Sequence, residues 1–222
     1  IAEERKLLPS FAISTNATLL TQEHLDFFAE HDIGVGISID GSPEVHDAQR
    51  RFKNGRPSFA LVAEKYKLAK RSDIRLAVEM ILNNQNLDHF ASSVQFLVES
   101  LGANFIIVSV DVFCAWREGF ERILTEQYAR IAQFYSERFR SSDPFVIDSI
   151  NNKINVILRG GYDLTKVCQL GCTEITVVPD GRIYPCLRLV GYDETGQTTL
   201  GSVLHGFDVK KATQMHELSK EK

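Results

Sequence analysis

Through the first half of the chain, strand and helix alternate at a spacing of roughly 30 residues, a rhythm that restricts the fold to βαβ units on a parallel sheet. Phe11-Ala-Ile-Ser-Thr15 reads as a short strand after Pro9. Thr21 caps a helix whose one face carries Leu25, Phe28 and Ala29. Gly34–Asp40 is a second strand, ended by Gly41-Ser-Pro43. Ser58 opens a helix toward Lys70, and Arg75–Leu82 is a third strand followed by a turn at Asn83–Asn86. Leu87–Leu101 is a helix with Gly102 at its C-terminal cap, and Asn104–Val110 is a fourth strand. These strands have few alternating polar positions, as expected when both faces are covered. A complete eight-unit barrel needs about 250 residues, so four units form part of a barrel or of an open sheet.

After Asp111 the rhythm stops. Glu121–Arg140 reads as a long helix and Phe145–Leu158 as another, before Gly160-Gly161 interrupts the chain. Glu174–Val178 and Arg182–Tyr184 then flank a Pro-Asp-Gly turn as a β-hairpin, and Thr199–Val203 adds a short strand. The expected organisation is a partial barrel over 1–142, then a helical connection and a small cysteine-bearing β region over 143–222. Both ends are expected to be cut: the chain does not begin with Met, Ile1–Leu8 reads as the end of a helix, and Met215–Lys222 is helical and stops abruptly.

The 222 residues are 44% hydrophobic and 24% charged, a balance that supports a sizeable core. A net charge of −4 gives no reason to expect a nucleic-acid or membrane-surface partner. No apolar run reaches the roughly 18 residues of a spanning helix. A cytoplasmic location is expected.

Of the four cysteines, Cys168, Cys172 and Cys186 share one short window, and only Cys114 lies apart. The hairpin between Cys172 and Cys186 folds back on itself, so its flanking cysteines meet, with Cys168 one short loop away. Thiolates gathered this way favour an Fe–S cluster or Zn²⁺ over buried core thiols. Three ligands are one short of either centre, and the fourth comes from Cys114, a His, a bound substrate or residues beyond Lys222.

These residues resemble a known family. Cys168, twelve residues, Gly181, four residues and Cys186 match the opening of the SPASM motif, and "VVPDGRIYPC" followed by "LGSVLHGF" is similar to SPASM proteins. "STNATLLT" at Ser14–Thr21 resembles the "TNGTLLT" of radical S-adenosylmethionine (AdoMet) barrels, with Ala17 where Gly is usual. "VGISIDGSPEVHDAQRRFKNGRPSF" at Val35–Phe59 resembles the next strand and loop of the same family. The family's CxxxCxxC loop, which binds the AdoMet-cleaving [4Fe–4S] cluster, is absent and is expected to precede Ile1.

The resemblance implies roles. Thr15 and Asn16 line the AdoMet pocket, although Asn also ends strands for reasons of turn chemistry. Ser38 bonds the ribose or carboxylate, and Asp40 either joins it or caps the following turn. Arg50 pairs with the methionyl carboxylate, with Arg51 and Arg56 as rivals, while His46 and Asp47 position the loop. Asn83 faces the cofactor, and Asp111 occupies the matching end of the fourth strand. Cys168, Cys172 and Cys186 ligate an auxiliary cluster.

The function implied is that of a radical AdoMet oxidoreductase modifying a peptide or protein substrate, supplied with electrons by a flavodoxin or ferredoxin. Sulfatase-maturing relatives carry an Asp directly after the last of these cysteines; Leu187 stands there, which leaves thioether-forming peptide modification open. The rival is a noncatalytic zinc or Fe–S peptide-binding module on a degenerate scaffold. Without the first cluster, these residues alone are expected not to cleave AdoMet.

Overall fold

The computed structural model describes residues 9–161, 170–171, 174–191 and 198–220. The chain divides into two compact units between Asn155 and Val156. In the first, β1 (Phe11–Thr15), β2 (Ile33–Ser38), β3 (Leu76–Leu82), β4 (Phe105–Val110) and β5 (Val146–Ile147) form a parallel sheet in sequential order. The connections carry α1 (Gln22–Glu30), α2 (Pro43–Gln49), α3 (Phe59–Ala69), α4 (Phe90–Glu99) and α5 (Phe120–Arg140), and α6 (Asp148–Leu158) follows β5. This is the α/β, partly wound parallel architecture expected from the strand–helix rhythm; the five strands are not seen to close a barrel.

The sheet is longer by one strand than the sequence suggested. Val146 and Ile147, expected inside a helix, instead pair with Phe105 and Ile106. The amide of Val146 donates to Asn104 O at 2.8 Å, and Asp148 Oδ1 accepts the Val108 amide at 3.1 Å. Two residues are too few to show a strand period.

One face of the sheet is dry. Val35, Ile37, Val78, Met80, Leu82 and Ile106 are almost fully buried and pack in one cluster with Val62 and Tyr66 of α3, Val94 and Leu97 of α4, and Ile131 and Phe134 of α5. Each such side chain contributes about 1.5–3 kcal/mol by leaving water. Helix starts are locally encoded: Thr21 Oγ1 accepts the His24 amide while His24 Nδ1 accepts the Thr21 amide, a reciprocal cap on α1. Asp47 Oδ1 accepts the amides of Ser58 and Phe59 at 2.7 and 2.9 Å, so a carboxylate from α2 holds the positive end of α3.

The opposite face carries small side chains on β1 and β2, Ala12, Ser14, Gly34 and Gly36, and then Glu79 of β3 and the apolar Phe105 and Ile107 of β4. Register pairs Ser14 with Gly36 and Ser38 with Glu79. The Glu79 carboxyl lies across Gly36 and accepts from Ser14 Oγ. A Cβ on Gly36 would stand 2.0 Å from Glu79 Oε1, so glycine is the residue that lets this carboxylate cross β2. A cavity of about 980 Å³ lies over this face and the N-terminal edge of the sheet.

In the second unit, β6 (Thr176–Val177), β7 (Arg182–Tyr184), β8 (Gly201–Ser202) and β9 (Gly206–Phe207) form an antiparallel sheet in sequential order, followed by α7 (Val209–Lys220). Its small core joins Ile183, Leu200 and Ala212, with Met215 packed against them. The Pro179-Asp180-Gly181 turn closes as expected, with Gly181 at φ 86° and its amide on Val178 O at 2.8 Å.

Candidate functional site

Parallel sheets build sites beyond the C-terminal ends of their strands. There, β1 and β2 deliver Asn16 and Ser38, and α2 with the loop after it delivers Gln49, Arg50, Arg51 and Lys53. Together they line a cleft of about 440 Å³. Among the described residues, three cationic side chains and no carboxylate line it. The larger cavity, by contrast, reaches the edge where strands begin.

The cleft wall is a hydrogen-bonded knot. Asp40, 1% exposed, accepts from Arg50 Nε at 2.5 Å and Nη2 at 3.2 Å, and from the Ile81 amide at 3.1 Å. His46, also 1% exposed, takes the Asp40 amide on Nδ1 and meets Ser58 Oγ with Nε2 at 3.0 Å. Ser58 Oγ in turn donates to Arg50 O at 2.8 Å. This chain of donors fits the neutral imidazole. Burial pushes the His46 pKa below its ordinary value, with Arg50 adding to the effect and Asp40 and Asp47 opposing it. His46 and Asp47 thus position the loop, as expected from the sequence.

The knot leaves an asymmetry at the cleft. Acceptors are taken: Asn16 Oδ1 receives both the amide and the hydroxyl of Thr18, Gln49 Oε1 receives Asn83 Nδ2 at 2.6 Å, and both Asp40 oxygens hold Arg50. Donors are not. Arg50 Nη1, Asn16 Nδ2 and Ser38 Oγ have no partner among the described residues, and Gln49 Nε2 is buried without one. Unpaired donors beside cations suit an anionic oxygen group such as a carboxylate.

Of the sequence-derived candidates, Asn16, Ser38 and Arg50 therefore gather on one cleft. Thr15 Oγ1 instead accepts the Ala17 amide, within the turn. Asp40 is buried behind Arg50. Asn83 stands behind Gln49, with its own Oδ1 accepting the Gln85 amide. Asp111 Oδ1 caps its own turn through the Phe113 amide. Gln49 and Lys53 were not singled out from the sequence; the start signal of α2, Ser42 before Pro43 at the first helical position, was the readable clue to Gln49.

In the second unit, Cys186 is a partly buried free thiol directly after β7. Cys168 and Cys172 lie outside the described residues. Gly171, which precedes Cys172, donates its amide to Pro185 O at 3.2 Å, so the residues before two of the cysteines are bonded to each other. Among the described residues, no three His, Cys, Asp or Glu side chains gather at a metal-binding distance. No helix among them is long and apolar enough to cross a membrane.

No protein-family model matches the chain. It is 40% identical over 77 residues to a serine-type anaerobic sulfatase-maturating enzyme of Bacteroides thetaiotaomicron, covering 35% of this chain and 19% of that one. It is 29% identical over 190 residues to a cysteine-type anaerobic sulfatase-maturating enzyme of Clostridium novyi, covering 79% of this chain and 49% of that one. Native anSMEcpe with bound AdoMet superimposes with a TM-score of 0.77 at 18% identity, over 95% of this chain and 57% of that one, and anSMEcpe is also known with bound AdoMet and the Kp18Cys peptide. The chain thus spans about half the length of its longer matches. By sequence the chain is similar to the anaerobic sulfatase-maturating enzymes, and it carries the fold of anSMEcpe.

Proposed function

We propose that these residues are the AdoMet-facing part and the start of an auxiliary-cluster region of a radical AdoMet enzyme that modifies a peptide or protein. The observation that carries the reading is the cleft of unpaired donors at the C-terminal edge of the sheet, where Arg50, held by Asp40, and Ser38, Asn16 and Gln49 meet the needs of a methionyl carboxylate. When bound, AdoMet with a reduced [4Fe–4S] cluster would supply the radical hydrogen-atom abstraction from the substrate. The part of these residues is to bind and orient: Arg50 fixes the carboxylate end, and Ser38 and Asn16 offer further donors. The sequence contains no CxxxCxxC, so residues outside these 222 would hold that cluster.

The auxiliary centre is the second part of the proposal. Cys186 is a free, partly buried thiol, and the Gly171–Pro185 bond draws the chain before Cys172 to the chain before Cys186, which suits shared thiolate ligation with Cys168. The substrate reading rests on the sulfatase-maturating relatives and on the peptide bound to anSMEcpe. Leu187, directly after Cys186, offers no base to a substrate, which favours peptide modification other than formylglycine formation. A flavodoxin or ferredoxin would supply electrons, and a cytoplasmic location suits oxygen-sensitive clusters.

Iron, sulfide and zinc analysis of the anaerobically purified intact gene product tests this reading. Iron with matching sulfide and a broad visible band supports it; stoichiometric zinc without iron leaves the noncatalytic module in its place.

A further inference from the structure

Gln49 has an amide whose two ends are treated differently. Its Oε1 accepts Asn83 Nδ2 at 2.6 Å. Asn83 cannot turn to offer its oxygen instead, because Asn83 Oδ1 accepts the Gln85 amide at 2.9 Å and the Asn83 amide donates to Asn86 Oδ1 at 2.9 Å. Asn86 is itself fully buried and donates to Ile81 O. The orientation of the Gln49 side chain is therefore set by a fixed partner, and Nε2 is the free end. That nitrogen is buried and has no acceptor. A donor removed from water and left unmade costs about 1–3 kcal/mol, so its retention calls for an acceptor arriving from outside the fold.

Gln49 lines the same cleft as Ser38 and Arg50, and no carboxylate among the described residues lines it. We infer that Gln49, oriented by Asn83, is a specificity-determining residue that donates from Nε2 to the carboxylate of the bound ligand beside Arg50. The inference rests on the AdoMet reading above and deepens it. Arg50 supplies charge and would accept any anion. Gln49 adds a neutral donor at a fixed place, which separates a carboxylate-bearing ligand from one that lacks it.

Equilibrium dialysis of the intact, anaerobically purified gene product tests this with two probes, AdoMet and decarboxylated AdoMet. Gln49→Leu is expected to weaken AdoMet binding by about tenfold, the scale of one lost hydrogen bond to a charged group, and to leave binding of the decarboxylated compound within about twofold. Gln49→Glu is expected to weaken AdoMet further while sparing the decarboxylated probe. Asn83→Leu, which frees the Gln49 amide, is expected to follow Gln49→Leu in direction. Thermal melts of each variant establish folding. Unchanged AdoMet affinity in Gln49→Leu overturns the inference. So does an equal loss for both probes, which marks a structural role. If the unsubstituted protein binds neither probe, the AdoMet reading itself fails, a result distinct from both.

Discussion

Arg50 reaches across the end of β2 to grip Asp40 with two nitrogens, on a carboxylate that is 1% exposed and also holds the Ile81 amide of β3. One acid thus ties the cleft loop to the sheet. Removing it orphans a guanidinium and a backbone amide together. Asp40→Ala is expected to cost about 3 kcal/mol, the low end for breaking a buried pair because Arg50 remains partly hydrated. Asp40→Asn, which keeps an acceptor for Ile81, is expected to cost less. Urea unfolding midpoints check the order; equal, negligible losses would contradict it.

The Gly36–Glu79 crossing gives a prediction with an internal control. Gly36→Ala pushes the flexible Glu79 carboxyl aside and is expected to destabilise by about 1 kcal/mol or less, the scale of its lost contact with Ser14. With Glu79→Ala in place the methyl meets no carboxyl, so the double variant is expected to be more stable than the sum of the singles by about the same amount. Strict additivity in a double-mutant cycle would rule out the contact.

Ala17 sits at φ 58°, fully buried, in a turn whose backbone conformation favours Gly. The left-handed conformation disfavours any side chain, while burial rewards the methyl. Ala17→Gly is therefore expected to change stability by less than about 1 kcal/mol, whereas β-branched Val, poorly tolerated at positive φ, is expected to cost more than about 2 kcal/mol. Thermal melts distinguish the two.

Burial lowers the His46 pKa from its ordinary 6.5, so the unfolded chain binds a proton at this residue more readily than the folded one. The stability it contributes is present above that value and is lost as pH falls from 6.5 toward the lowered folded value. Unfolding free energy measured between neutral and mildly acidic pH should fall with pH, and His46→Gln should flatten the slope in that window. An unchanged slope would show that folding leaves the proton affinity of His46 unaltered.

Cys186→Ala is expected to lower the iron content of the intact gene product while sparing AdoMet binding in the first unit. Full iron in the variant would remove Cys186 from the ligand set.

How much of this could be read in the sequence depended on the length of each signal. The strands β1 to β4 carry several consecutive apolar residues, and their order and parallel pairing follow from the connecting helices. β5 is two residues long and owes its pairing to Asn104 and Asp148, contacts distant in sequence, so it was read as helix. α2 is only seven residues, and its Ser-Pro start was taken for a strand-ending turn, which hid Gln49. β9 likewise depends on pairing with β8 rather than on its own Gly206-Phe207. Resemblance pointed to Arg50, Ser38 and Asn16, which the fold brings to one cleft. That Asp40 and Asn83 stand behind it was not legible, because a motif gives residue types and not which side chains are already occupied.

The most direct measurement is AdoMet cleavage by the anaerobically reduced intact gene product, assayed as 5′-deoxyadenosine. The account predicts its formation, and its loss in Arg50→Met under conditions where that variant remains folded. Stoichiometric zinc in place of iron, with no 5′-deoxyadenosine formed, would contradict it.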